Sequence, residues 1–284
     1  MTKTFLLISM NACSKIPIYL LVFLLLPSAV FAAEQESSKE TEKIFEEKTT
    51  RASDSTRVVY APTAVGREKG EVGLTVYDLA LYDIEYGLFK HLEVGLYVAA
   101  PITFVAFAPH AKLWGRLSPS ATLALNASGD FIFPYLENDR GQQWWILSAG
   151  PLLTLGSSKT YFNLGVNMSG TNSPIHRGLI EGFVSPSSKQ SSQDYDKPWW
   201  FISPSIGAVL RVSAKVSLMF QAEMFIAQSA GLIKFSPVSY GLRFHGKHVV
   251  LDAAFVLPVY KDMWEIVKYC PIGFPLITIS KTWP

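Results

Sequence analysis

The chain has 284 residues, of which 49% are hydrophobic and 17% charged, with a formal net charge of +2 at pH 7. This is apolar for a soluble protein, and the near balance of charge gives no footprint for nucleic acid. It has two cysteines, Cys13 and Cys270, and once Cys13 leaves with the cleaved N-terminal segment, Cys270 has no partner for an internal disulfide.

The first 32 residues read as a secretory signal peptide. Lys3 and Lys15 precede an apolar run at 18–26, and Pro27, Ser28 and Ala29 lead to Val30, Phe31 and Ala32, where the small residues favour cleavage after Ala32. Cys13 lies ahead of the apolar run, so it leaves with the signal and no lipid attachment is expected. Losing Lys3 and Lys15 leaves 23 basic residues against 23 acidic, a formally neutral mature chain. Cys270 then reads as a partly buried small residue. Residues 33–56 are dense in Glu and Lys, cannot bury a core, and read as a polar, flexible periplasmic tail.

Beyond residue 32 no run of 18 apolar residues exists to make a helical span. The apolar side chains instead alternate with polar ones, the period of a strand with two unlike faces. In chain order the pattern predicts strands at 57–64, 71–88, 92–100, 107–117, 121–133, 145–155, 161–170, 199–212, 216–227, 233–244, 249–257 and 272–282. The clearest unit is 202–226, where Ile206, Ala208, Leu210 and Val212 and then Val216, Leu218, Phe220, Ala222, Met224 and Ile226 alternate with polar or small residues around a short turn at 213–215. Its arms approach the ~9–11 residues that a tilted strand needs to cross a bilayer. Similar hairpins surround Lys90, Ser118, Ser157 and Gly246.

The expected fold is all-β: a closed antiparallel transmembrane β-barrel of about 12 strands, within a range of 10–14, occupying residues 57–284. The segment 71–88 reads either as one tall strand or as two. Short turns near Lys90, Ser118, Ser157, Ala214 and Gly246 alternate with longer connections at 101–106, 134–143, 171–198, 228–232 and 258–271, which places the short turns and both termini in the periplasm. Trp144, Trp145, Trp199 and Trp200 near the long loops, with Trp114 and Trp283 near the short turns, read as aromatic girdles, joined by Tyr86, Phe89, Tyr161 and Phe244. Pro109, Pro151, Pro204 and Pro237 fall inside expected strands and read as bulges or rim positions, because a closed barrel has no free edge.

The face opposite the apolar one is ionic. Asp83, Glu85, Glu93, His110, Lys112, Arg116, Asp130, Arg211, Glu223, Arg243 and Asp252 form the expected lumen charge network, with Arg116, Arg211 and Arg243 at one height near the periplasmic mouth. Two readings stay open: the charges pair across a narrow interior, or they line a passage that selects solutes. The segment 172–198 is the candidate for specificity, either folded inward or projecting as a binding surface.

The sequences YAPTA at 60–64, KGE at 69–71, YGL at 86–88 and HLEVGL at 91–96 resemble the opening of uncharacterised outer-membrane β-barrel proteins of Gram-negative bacteria. The resemblance covers 57–114 and implies fold and location in the cell outer membrane; it brings no catalytic residues. The ending departs from the usual terminal aromatic, since Pro284 follows Trp283. No GxSxG, HExxH or phosphate-binding glycine loop is present, so no catalytic residue, metal ligand or cofactor is assigned. His245 and His248 read as solvated turn residues. The functional expectation is a porin-like, narrow passive channel for small polar solutes. A structural or partner-binding barrel is second and a lipid-modifying enzyme third. Outer-membrane lipid and the barrel-assembly machinery are the expected partners, with no nucleic acid.

Overall fold

The computed structural model describes residues 56–78, 80–99, 104–134, 143–157, 159–172, 199–227, 231–232, 236–246, 249–259 and 272–283. The signal peptide, nearly all of the polar tail, the body of the 172–198 segment, Cys270, His176 and His248 lie outside the described residues. The strands are β1 (Val72–Tyr77), β2 (Leu81–Phe89), β3 (Leu92–Ala99), β4 (Phe104–Ser118), β5 (Ala121–Pro134), β6 (Trp144–Gly156), β7 (Tyr161–Thr171), β8 (Trp199–Arg211), β9 (Val216–Glu223), β10 (Ile226–Ala227), β11 (Gly231–Leu232), β12 (Ser236–His245), β13 (Val250–Val259) and β14 (Phe274–Trp283).

Every strand pairs antiparallel with its neighbours, and the wall closes on itself because β8 bonds both β7 and β9 while β1 bonds β14. The two-residue strands β10 and β11 are not separate staves: β10 continues the line of β9 along β8 after a break, and β11 pairs only with β10. The molecule is therefore a closed 12-strand antiparallel barrel.

Burial is inverted relative to a water-soluble fold. Among the most exposed large side chains are Leu117 at 67%, Phe89 at 59% and Leu113 at 57%, while Glu93, Arg243, Asp252 and Thr278 are fully buried. Exposing an aliphatic or aromatic side chain to water forgoes ~1.5–3 kcal/mol, so an apolar belt on this scale requires apolar surroundings. Inside, the strands present Thr, Ser, Asn, Gln and charged side chains.

Twelve strands were expected and twelve stand in the wall, but two assignments differ and offset one another. Residues 71–88 form two strands, β1 and β2, joined by a tight turn. Asp78 makes that turn: it takes a left-handed backbone (φ 46°), its amide donates to Ile277 O at 2.9 Å, and its carboxylate accepts the Ile277 amide at 2.8 Å. Aspartate tolerates that conformation better than most residues, and no Gly or Pro marks the turn. Residues 57–64, in contrast, are not a wall strand at all; they lie inside the barrel.

The prolines interrupt pairing without shifting register. The β4–β5 register skips the positions at Ala108 and Pro109 and resumes unchanged at His110, and β6–β7 does the same at Gly150 and Pro151. Above Ser205 the β8–β9 ladder skips Pro204 and resumes in β10, and Pro237 stands near the start of β12, opposite Pro258. The register shifts occur elsewhere, between Gly87 and Phe89 and between Arg116 and Ser118. A proline lacks one donor, so it loses a bond on one side while the other ladder holds it in place.

Candidate functional site

The site is made by the chain that precedes β1. Residues 56–67 enter the lumen as a tight loop, with Val58 N bonded to Ala61 O at 3.0 Å and Thr63 N to Thr56 O at 2.8 Å, and they fill the end of the barrel where the short turns lie. Pro62 and Gly66 interrupt any strand, and three consecutive apolar residues, Val58, Val59 and Tyr60, have no period of two. Val58 and Val59 are fully buried against Tyr161, Val209, Met219 and Ala254, while Ala64 packs with Trp114, Ala124 and Leu152. Room for Val58 comes from Gly207, where a Cβ would stand 2.7 Å from the valine side chain.

A buried irregular segment must find partners for its backbone groups, and here wall side chains supply them. Gln221 Oε1 accepts from three successive amides, Val59 at 3.1 Å, Tyr60 at 3.3 Å and Ala61 at 3.2 Å. Ala64 N donates to Thr154 Oγ1 at 2.8 Å, Asn163 Nδ2 to Pro62 O at 3.1 Å, and Arg67 N to Glu93 Oε2 at 2.7 Å. The Tyr161 hydroxyl and Arg243 Nη1 both donate to Arg57 O, at 2.9 and 3.3 Å, and Arg243 Nη2 donates to Val58 O at 2.7 Å.

Two arginines of the segment bind wall carboxylates. Arg57 pairs with Asp252 and donates to Val59 O and Ser280 Oγ; Arg243 donates to the same Asp252 through Nε at 2.8 Å and Nη2 at 3.0 Å. Arg67 pairs with Glu85 through Nε at 2.7 Å and through Nη2, and also donates to Thr282 Oγ1. Beside it Lys112 Nζ meets Glu93 Oε1 at 2.9 Å. Burial pushes the Tyr60 phenol up to about 12, with the Glu223 carboxylate adding to the effect.

Asp83, Glu85, Glu93, Lys112, Arg243 and Asp252 are buried on the inner face, and the His110 side chain is only 7% exposed. Asp130 and Glu223, toward the other end, are partly exposed. Arg211 and Arg243 stand in register across β9, both opposite Ser217, but their surroundings differ. Arg116 is exposed at the strand end and Arg211 donates to Ser213 O and Ala214 O of its own turn, whereas Arg243 is fully buried and donates to the internal segment.

The girdle needs correction as well. Trp114, Trp144, Trp199 and Tyr161 are buried and face inward, whereas Trp200 and Trp283 are exposed and Trp145 is intermediate. In a Trp-Trp pair on a strand the two rings must point to opposite faces, so only one ring of each pair can reach the outer surface. His245 is buried rather than solvated, with Nε2 2.8 Å from the hydroxyl of fully buried Ser217.

No family model matches the chain, and no curated protein matches it. Among solved structures it has distant similarities. The NanC porin is 7% identical, over 75% of this chain and 97% of that one, with a TM-score of 0.43. The translocator domain of the autotransporter NalP from Neisseria meningitidis is 6% identical, over 75% and 85%, with a TM-score of 0.35. The corresponding values for OccD1 (OprD) are 9%, 72%, 59% and 0.36.

Sequence reasoning missed Arg57, Arg67, Gln221 and Tyr161 as parts of the site. The available signal was in the segment itself: 57–67 has no hairpin partner, breaks alternation at Val58-Val59-Tyr60, and carries a basic residue at each end.

Proposed function

We propose that this chain is an outer-membrane barrel with the turns at Lys90, Ser118, Ser157, Ala214 and Gly246 and both termini in the periplasm, acting as a narrow passage for small polar solutes that residues 56–67 restrict at the periplasmic end. The observation that carries the reading is the inverted wall, apolar outside and charged inside, with that segment bonded to side chains of β2, β3, β6, β7, β9, β12, β13 and β14. Partly exposed Asp130 and Glu223 suit a wider vestibule at the opposite end. The same internal segment favours a second reading, a barrel that stays shut and serves a structural or partner-binding role. We take it as non-enzymatic: Ser217, the hydroxyl paired with His245, has no surface through which a substrate reaches it.

Purified folded protein in a planar bilayer tests the choice. Small stepwise conductance, increased in the Arg67→Gln variant, is expected of the restricted passage. Silence at all voltages in both proteins overturns it in favour of the shut barrel, and fatty-acid release from dispersed lipid overturns the non-enzymatic reading.

A further inference from the structure

The inner wall beside Arg67 carries more acid than its bases balance. Arg67 takes Glu85 and Lys112 takes Glu93, but Asp83, 2% exposed, has no basic partner of its own other than His110, whose Nε2 stands 3.7 Å from Asp83 Oδ1. That separation is beyond a hydrogen bond. Asp83 Oδ1 and His110 Nδ1 are buried with no hydrogen-bond partner among the described residues. Tyr97 hydrogen-bonds the Asp83 carboxyl, but among the described residues no Arg or Lys does, so the ionised group is costly there without a cation beside it.

The backbone is shaped to bring the three side chains together. Glu85, Gly95 and His110 are in register across β2, β3 and β4, so Gly95 separates the carboxylate from the imidazole. A Cβ on Gly95 would lie 2.3 Å from His110 Nε2; its absence lets the ring lie across β3 toward β2. Tyr97 packs against the other flank of that ring, with centroids 4.8 Å apart. One ligand atom from each of Asp83, Glu85 and His110 falls within 4.8 Å of the others. Ligands ~2.1 Å from a tetrahedral ion stand about 3.4 Å apart, so small rotations close the set.

We propose that Asp83, Glu85 and His110 bind a divalent transition-metal ion of the zinc class on the inner wall, leaving one position for water. An imidazole with two carboxylates suits such an ion. Glu85 is shared with Arg67, so metal and guanidinium compete for it, and occupancy loosens one of the two attachments of the internal segment. The site stands whether or not the barrel conducts.

The test uses untagged, folded full-length mature protein in detergent, with Zn2+ for calorimetric titration and Co2+ for visible d–d absorption. One equivalent of Zn2+ binds, and Co2+ gives bands that Zn2+ abolishes. His110→Gln and Asp83→Asn each weaken binding by at least about tenfold, the lower end of what even outer-shell partners contribute. Arg67→Gln strengthens it, an effect that a merely structural role for these residues does not produce. Each variant is counted only as its heat-modifiable folded fraction. Absence of saturable Zn2+ binding by the folded wild type overturns the proposal, as does binding that the His110→Gln/Asp83→Asn double variant leaves unchanged.

Discussion

The two attachments of the internal segment are built differently. At the Arg57 end a single carboxylate, Asp252, lies between two guanidiniums, and the groups around it are bonded to the backbone of the segment as well as to one another. At the Arg67 end Glu85, Glu93 and Asp83 face Arg67, Lys112 and a histidine, and one carboxylate oxygen is left over. The first arrangement is closed, and further ligands have nowhere to enter. The second has unused donor capacity, and there a metal has a place. The difference teaches that burial of charge alone does not mark a functional site; an incomplete complement does.

The largest effect is expected at the closed end. Asp252→Asn leaves Arg57 and Arg243 buried beside each other with no counter-charge, and loses ~3–5 kcal/mol of stability. Urea unfolding from detergent or lipid measures it. A loss no greater than that of Arg116→Gln, an exposed position, breaks the comparison.

A smaller loss, about 2 kcal/mol, is expected for Arg67→Gln, because Glu85 gives up charge-assisted hydrogen bonds while Lys112 and His110 stay close. Added Zn2+ recovers part of that loss in the variant through mass action on the folded state. Equal losses at Asp252 and Arg67 would erase the distinction between the two ends.

The smallest effect belongs to Tyr60, between the two attachments. Its phenol is pushed up to about 12 from an ordinary 10.0, so the folded state favours the neutral form. The contribution is fully present below pH 10 and is lost as pH rises toward 12. Tyr60→Phe therefore leaves stability near neutrality unchanged and flattens the decline over that window. A parallel decline in wild type and variant, followed by unfolding at graded alkaline pH, assigns the sensitivity to other groups.

The alternation of apolar and polar residues determined the barrel by itself, because period two fixes which side chains face lipid and which face the lumen along every stave from β2 to β14. It also marked Asp83, Glu85, Glu93, Lys112, Arg243 and Asp252 as inward. Local pattern failed where the chain had no period: 57–64 contains strand-forming residues, yet its backbone partners are side chains such as Gln221, some 160 residues away, which no window along the sequence sees. Burial along the inner face was also out of reach. Arg116, Arg211 and Arg243 share a parity, but only the internal segment, whose backbone at Arg57 and Val58 receives the Arg243 guanidinium, decides that Arg243 is covered while Arg116 is exposed. Tertiary structure likewise decided that Gly95 stands between Glu85 and His110, since lateral register across three strands is set by pairing and not by spacing along the chain.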